Sequence, residues 1–132
     1  DIVLAADDTV FQDAPHYPEG LVPGDGVHVL WPLLLGMNRG RYFLLTGEKI
    51  SAKQALDLGV VSEVMPRDQL MERAREHARK LLKQPPMTVT YARLAITHEL
   101  KRLMRDHLDY GFLLEGLAAT EYFPGKEAKK PS

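Results

Sequence analysis

Residues 11–25 read FQDAPHYPEGLVPGD. Proline sets φ and pushes the residue before it towards extended geometry, so Pro15, Pro18 and Pro23 make this stretch a stiff loop. A turn through Pro23, Gly24, Asp25 and Gly26 closes it. The loop carries an imidazole, His16, and further along a carboxylate, Asp25. Such a pair on a stiff loop is how a site is built when its geometry must be held tightly.

Outward from the loop, the first half of the chain reads as short strands and short helices. Residues 2–6 (IVLAA) form an apolar run bounded by Asp7 and Asp8, which predicts a buried strand, and residues 9–12 predict a second one. After Gly26 the run VHVLWPLLLG predicts a buried helix interrupted by Pro32 and ending at Gly36. Asn38 is a candidate cap for a helix over 39–45, stopped by Thr46 and Gly47. Ser51 reads as the N-cap of a helix over 52–58 with Gly59 at its stop, and residues 60–64 predict a strand closed by Pro66.

The second half reads as helix throughout. Asp68 is a candidate cap for a helix whose apolar positions Leu70, Ala74, His77 and Leu81 recur every three or four residues, ending at Pro85 and Pro86. A longer pattern runs through Val89, Ala92, Ile96, Leu100 and Leu103, with a break expected before a last helix over 108–122. The polar tail, PGKEAKKPS, is expected to fray. These helices are apolar over most of their circumference, which predicts burial against another subunit.

The chain has 132 residues, enough for a moderate core, and 45% of them are hydrophobic against 27% charged, an ordinary soluble composition. A net charge of -1 gives no electrostatic case for nucleic acid or an anionic membrane as partner. With no cysteine there is no disulfide, thiolate metal site or cysteine nucleophile, consistent with a reducing, cytoplasmic setting. Residues 27–35 are too short an apolar run to span a bilayer, and the start shows no signal peptide. The chain opens on Asp1 and goes directly into a buried strand, so the later part of a longer protein is expected.

Read by chemistry alone, His16 is the side chain that serves as base and acid near neutrality. A nearby carboxylate can accept the Nδ1 proton and stabilise the imidazolium, and the turn could fold Asp25 back onto His16 in that role. Asp25 could equally be the N-cap of the following helix, and His16 a hydrogen-bonded loop residue. Glu115 lies on the apolar line Leu108, Phe112, Glu115, Ala119, where a carboxylate is costly unless paired or hydrated; it borders a cavity or pairs with a cation. His28 could face the same pocket or hold an ordinary helix position, while His77, His98 and His107 read as surface or interface residues. Trp31 reads as core packing. No His/Glu set has metal-ligand spacing, so no metal is expected.

The turn Pro23–Gly26, the Leu45-Thr46-Gly47 turn, the segment Ile50-Ser51-Ala52 through Leu58-Gly59-Val60-Val61, and the pair Pro85-Pro86 come in an order that resembles the crotonase (enoyl-CoA hydratase/isomerase) superfamily. The resemblance implies an α/β (α+β) fold: the C-terminal part of a ββα spiral core over 1–66, then a helical trimerisation region over 67–132. Hydratases of the family carry a catalytic Glu where His16 stands and a small residue where Asp25 stands. The His16/Asp25 pairing instead resembles the branch that cleaves carbon–carbon bonds in β-diketones, typified by 6-oxocamphor hydrolase, and Glu115 in LLEGLAA matches that branch's Glu on a late helix. What this implies is a cofactor-independent hydrolysis of cyclic or bicyclic β-diketones by His16, Asp25 and Glu115, in a homotrimer or hexamer. A CoA-thioester enzyme of the same fold is the alternative, and a non-catalytic subunit kept for assembly is the third reading.

Overall fold

The computed structural model describes residues 1–122, and the frayed tail expected at the C-terminus lies outside them. The described chain is mixed α/β and forms two compact units, each assembled from two separate stretches of sequence.

The first unit comprises residues 1–11 and 50–102. Strand β1 (Leu4–Ala6) pairs in parallel with β4 (Glu63–Met65), in the register Leu4 with Glu63, Ala5 with Val64 and Ala6 with Met65. Strand β2 (Val10–Phe11) pairs antiparallel with β3 (Ile50–Ser51), a strand too short to be read from the sequence. The chain passes from β3 straight into α3 (Ala52–Asp57) through a capping box. The Ser51 hydroxyl accepts from the Gln54 N–H, and the Gln54 side chain accepts from the Ser51 N–H at 2.8 Å. Two orphan N–H groups are thereby satisfied at the predicted cap. Gly59, at φ 76°, turns the chain after α3 as its position implied. Ala5, Ala6, Ile50, Ala52, Ala55, Val60 and Val61 are the buried core of this unit.

Strand β1 is shorter than the apolar run suggested, and Ile2 and Val3 lie half exposed ahead of it. Helix α4 (Leu70–Leu81) follows a single 3₁₀ turn over Arg67–Gln69, and Asp68 makes no side-chain cap, contrary to expectation. The 3₁₀ turn takes the place of the cap by feeding its backbone directly into the helix. Pro86 begins α5 (Pro86–Ile96) at the first helical position, where its missing N–H costs nothing. The helical break falls at Thr97, and α6 runs unbroken over His98–Tyr122. The Arg93 carbonyl accepts both the Thr97 N–H at 3.0 Å and the Thr97 hydroxyl at 2.7 Å, a doubled contact at the break. The first residues of α6, through Arg102, cluster with this unit.

The second unit comprises residues 12–49 and the chain from Leu103 onward. Helices α1 (Val27–Leu35) and α2 (Met37–Thr46) are joined by Gly36 alone. Pro32 does not interrupt α1; the helix carries it at the loss of one intrahelical bond. Asn38 does not cap α2, which has already begun at Met37. Gly40 sets the approach of the two helices, since a Cβ there would lie 2.5 Å from the Pro32 Cα. Trp31 packs on the fully buried Phe43 with ring centroids 4.3 Å apart, confirming Trp31 as a packing residue.

Exposed apolar side chains remain on the long helices, among them Leu81, Ile96, Phe112 and Leu117. No described helix is long and apolar enough to cross a membrane.

Candidate active site

His16, Asp25 and Glu115 all belong to the second unit, so their mutual placement is a property of one compact body. The loop that carries His16 is tied down on both sides. Gln12 donates its side-chain amide to the Gly47 carbonyl at 2.8 Å, and Pro18 packs close against Gly47 at the end of α2. Between them the chain makes a 3₁₀ turn, Tyr17–Glu19, with Pro18 inside it and Gly20 at φ 82° closing it. The His16 carbonyl accepts from the N–H groups of Glu19 and Leu21 at 2.8 and 3.1 Å. The imidazole is thereby fixed through its own backbone and is only 7% exposed.

Two carboxylates flank the ring, one at each nitrogen. Asp13 Oδ1 lies 2.6 Å from His16 Nδ1, and Asp25 Oδ2 lies 3.6 Å from Nε2. A carboxylate can only accept, so Nδ1 carries the proton it gives to Asp13, and Nε2 faces Asp25. The Asp25 contact is beyond hydrogen-bond length and is electrostatic. The pairing of His16 with Asp25 is therefore present, but the Nδ1 partner expected of Asp25 is Asp13. Asp13 lies in the same loop just past the stretch read as strand, three residues before His16 across Pro15, and sequence reasoning passed over it.

Asp25 also does what an Asp before a helix does. Its Oδ1 accepts from the Val27 N–H at 3.3 Å, while Gly26, at φ 109°, is the residue that begins α1. Gly26 and not Asp25 is therefore the N-cap of α1, and Asp25 supports the helix start only through this contact with the first helical N–H.

Glu115 is brought to this loop by an approach that only glycine permits. A Cβ on Gly24 would lie 2.2 Å from the Gly111 carbonyl oxygen, and a Cβ on Gly111 would lie 2.3 Å from the Gly24 oxygen. The turn and α6 thus touch backbone to backbone, and Glu115, one helical turn beyond Gly111, comes to lie against Gly24. Glu115 Oε2 is buried with no hydrogen-bond partner. His28 lies on the other side of the same crossing: its Nε2 donates to the His107 carbonyl at 3.2 Å, and its Cε1 abuts Gly111. It is a helix-to-helix brace.

Burial opposes charge on His16. The hydrogen bond His16 donates to Asp13 and the charges of Asp13, Asp25 and Glu115 act the other way and prevail, holding the imidazole above its ordinary value of 6.5. The group can exchange a proton near neutrality. A cavity of about 380 Å³ in this unit is lined by His28, Leu33, Met37, Arg41, Leu103 and His107 among others, and none of His16, Asp25 and Glu115 lines it.

The family model for enoyl-CoA hydratase/isomerase matches residues 1–113. The chain belongs to that family. Among solved structures of the crotonase fold it is similar to a β-diketone hydrolase from the cyanobacterium Anabaena sp. PCC 7120, bound to (S)-3-oxocyclohexyl acetic acid. The match is 57% identical at a TM-score of 0.91, covering 92% of this chain and 49% of that one. An enoyl-CoA hydratase/isomerase from Mycobacterium paratuberculosis is 32% identical at a TM-score of 0.81, with 89% and 46% covered. The Enoyl-CoA isomerase/hydratase fer4 of Mycosarcoma maydis is 29% identical over 97 residues, 74% of this chain and 35% of that protein. The chain therefore spans about half the length of the solved crotonase-family chains, and less of the curated relative.

Proposed function

We propose that the protein hydrolyses a carbon–carbon bond of a cyclic or bicyclic β-diketone, without a cofactor, to give a keto acid. One observation carries the reading: a buried imidazole, His16, stands between two carboxylates. The similarity to the Anabaena β-diketone hydrolase supports it. His16 takes a proton from water at Nε2, and the hydroxide adds to one carbonyl carbon. Collapse of the tetrahedral adduct breaks the bond to the carbon between the carbonyls, and the electron pair leaves as the enolate of the other ketone. The proton held on His16 returns to that enolate carbon. Asp25 stabilises the imidazolium in between, and Glu115 takes a supporting acid/base part. General base action of this kind is worth about 10²–10⁴-fold in rate.

The test follows loss of the diketone absorbance of a bicyclic 1,3-diketone by the native protein without CoA, against His16→Ala. The expected result is turnover by the wild type and a loss of at least the general-base factor in the variant. Unchanged turnover in His16→Ala would remove the assignment. The second reading, a CoA-thioester enzyme, is favoured by the enoyl-CoA hydratase relatives. It predicts no diketone turnover and a rise in melting temperature on adding CoA.

A further inference from the structure

We propose that Asp13 is the positioning residue of the site: it fixes the tautomer and ring orientation of His16, leaving Asp25 to face the reacting nitrogen. This rests on the diketone reading for its kinetics but not for its geometry. Asp13 is only 5% exposed, and a buried carboxylate is expensive unless compensated. Its Oδ1 accepts from His16 Nδ1 at 2.6 Å, a short hydrogen bond of the kind charge assistance gives. Its Oδ2 is buried with no hydrogen-bond partner. The group therefore spends its whole compensation on one imidazole, which is a poor arrangement for stability alone and a sound one for holding a ring.

Asp25 cannot share this duty. It sits at the opposite nitrogen, beyond hydrogen-bond reach, and its other oxygen is engaged at the start of α1. The division mirrors the general logic of a base held by a carboxylate at one nitrogen and reacting at the other. The charged groups acting on His16 are Asp13 on its own loop, Asp25 at the turn before α1, and Glu115 on α6. All are acidic, so removing the Asp13 charge lowers the imidazole pKa and moves its titration to lower pH.

The experiment compares wild type, Asp13→Asn and Asp13→Ala by ¹⁵N NMR of the His16 ring and by the pH profile of kcat/KM. Asn keeps the shape of the side chain and guards against a variant that fails to fold. The expected wild-type spectrum has a protonated Nδ1 and a bare Nε2 in the neutral ring. In both variants the Nδ1 proton signal is lost or the tautomers mix, and the ring titrates at lower pH. Diketone turnover falls about 10²–10⁴-fold at neutral pH, as expected when a base loses its orientation. An Asp13→Ala ring with unchanged tautomer and titration overturns the proposal, whatever the turnover. NMR changes as expected in a protein inert towards diketones uphold the role of Asp13 and remove only the substrate assignment.

Discussion

Gly111 and Gly116 lie in the same helix and invite the same substitution with opposite results. Gly111 is buried, and a Cβ there would come 2.3 Å from the Gly24 oxygen and 2.3 Å from His28 Cε1. That is about 1 Å inside the 3.4 Å at which ordinary contact begins, so either α6 or the Gly24 turn must retreat. Gly116 is exposed, and its Cβ would meet nothing within 4 Å. Both substitutions gain about 1 kcal/mol of helix propensity, because alanine loses less backbone freedom in a helix. For Gly116→Ala that gain stands alone. For Gly111→Ala it is set against overpacking of about 1–3 kcal/mol. The propensity terms cancel in the comparison, so the variants should differ by that same 1–3 kcal/mol in urea unfolding. Displacing Glu115 by about 1 Å from the His16 loop should also cost on the order of 10²-fold in turnover, while Gly116→Ala leaves it unchanged. Gly111→Ala as stable as Gly116→Ala would refute the backbone-to-backbone approach.

Two further outcomes are expected. Glu63, held by Arg73 at 2.7 Å and His77 at 2.8 Å, has its pKa lowered to about 2, chiefly through the Arg73 hydrogen bonds. Its contribution to stability is therefore complete above its ordinary value of 4.5 and is lost as pH falls from there towards 2. Glu63→Gln should flatten the acid side of the melting-temperature profile in that window and leave it parallel to wild type above it. Phe43→Ala removes a fully buried ring that supports Trp31 and should cost about 3–5 kcal/mol in denaturant unfolding, a loss under 1 kcal/mol speaking against this core.

Much of the frame was legible because glycine, proline and a capping serine act locally. Gly36, Gly47 and Gly59 stop helices where the sequence put the stops, and the Ser51/Gln54 spacing announced its capping box. The break before α6 was misplaced for an equally local reason. The apolar stripe from Val89 to Leu103 continues across Thr97, and no glycine or proline marks the change. Strand β3 escaped notice because a two-residue strand has no periodicity to detect. In the site, His16 and Asp25 stood out as a pair on the stiff loop and Glu115 as a carboxylate on an apolar helix line, and the resemblance implied a role for each. Asp13 did not stand out, because its importance lies in being buried, and burial at a loop position is set by tertiary packing.

Asp25 ties two requirements to a single carboxylate. One oxygen holds the first turn of α1, and the other places a negative charge before the imidazole. An amide in its place could still accept from the Val27 N–H but would give up the charge. A small apolar residue would give up both, and a longer carboxylate would carry its oxygens past the turn. Position 25 is thus a point where the architecture of a helix start and the basicity of a neighbouring ring are inherited together, and a short neutral acceptor, amide or hydroxyl, separates them.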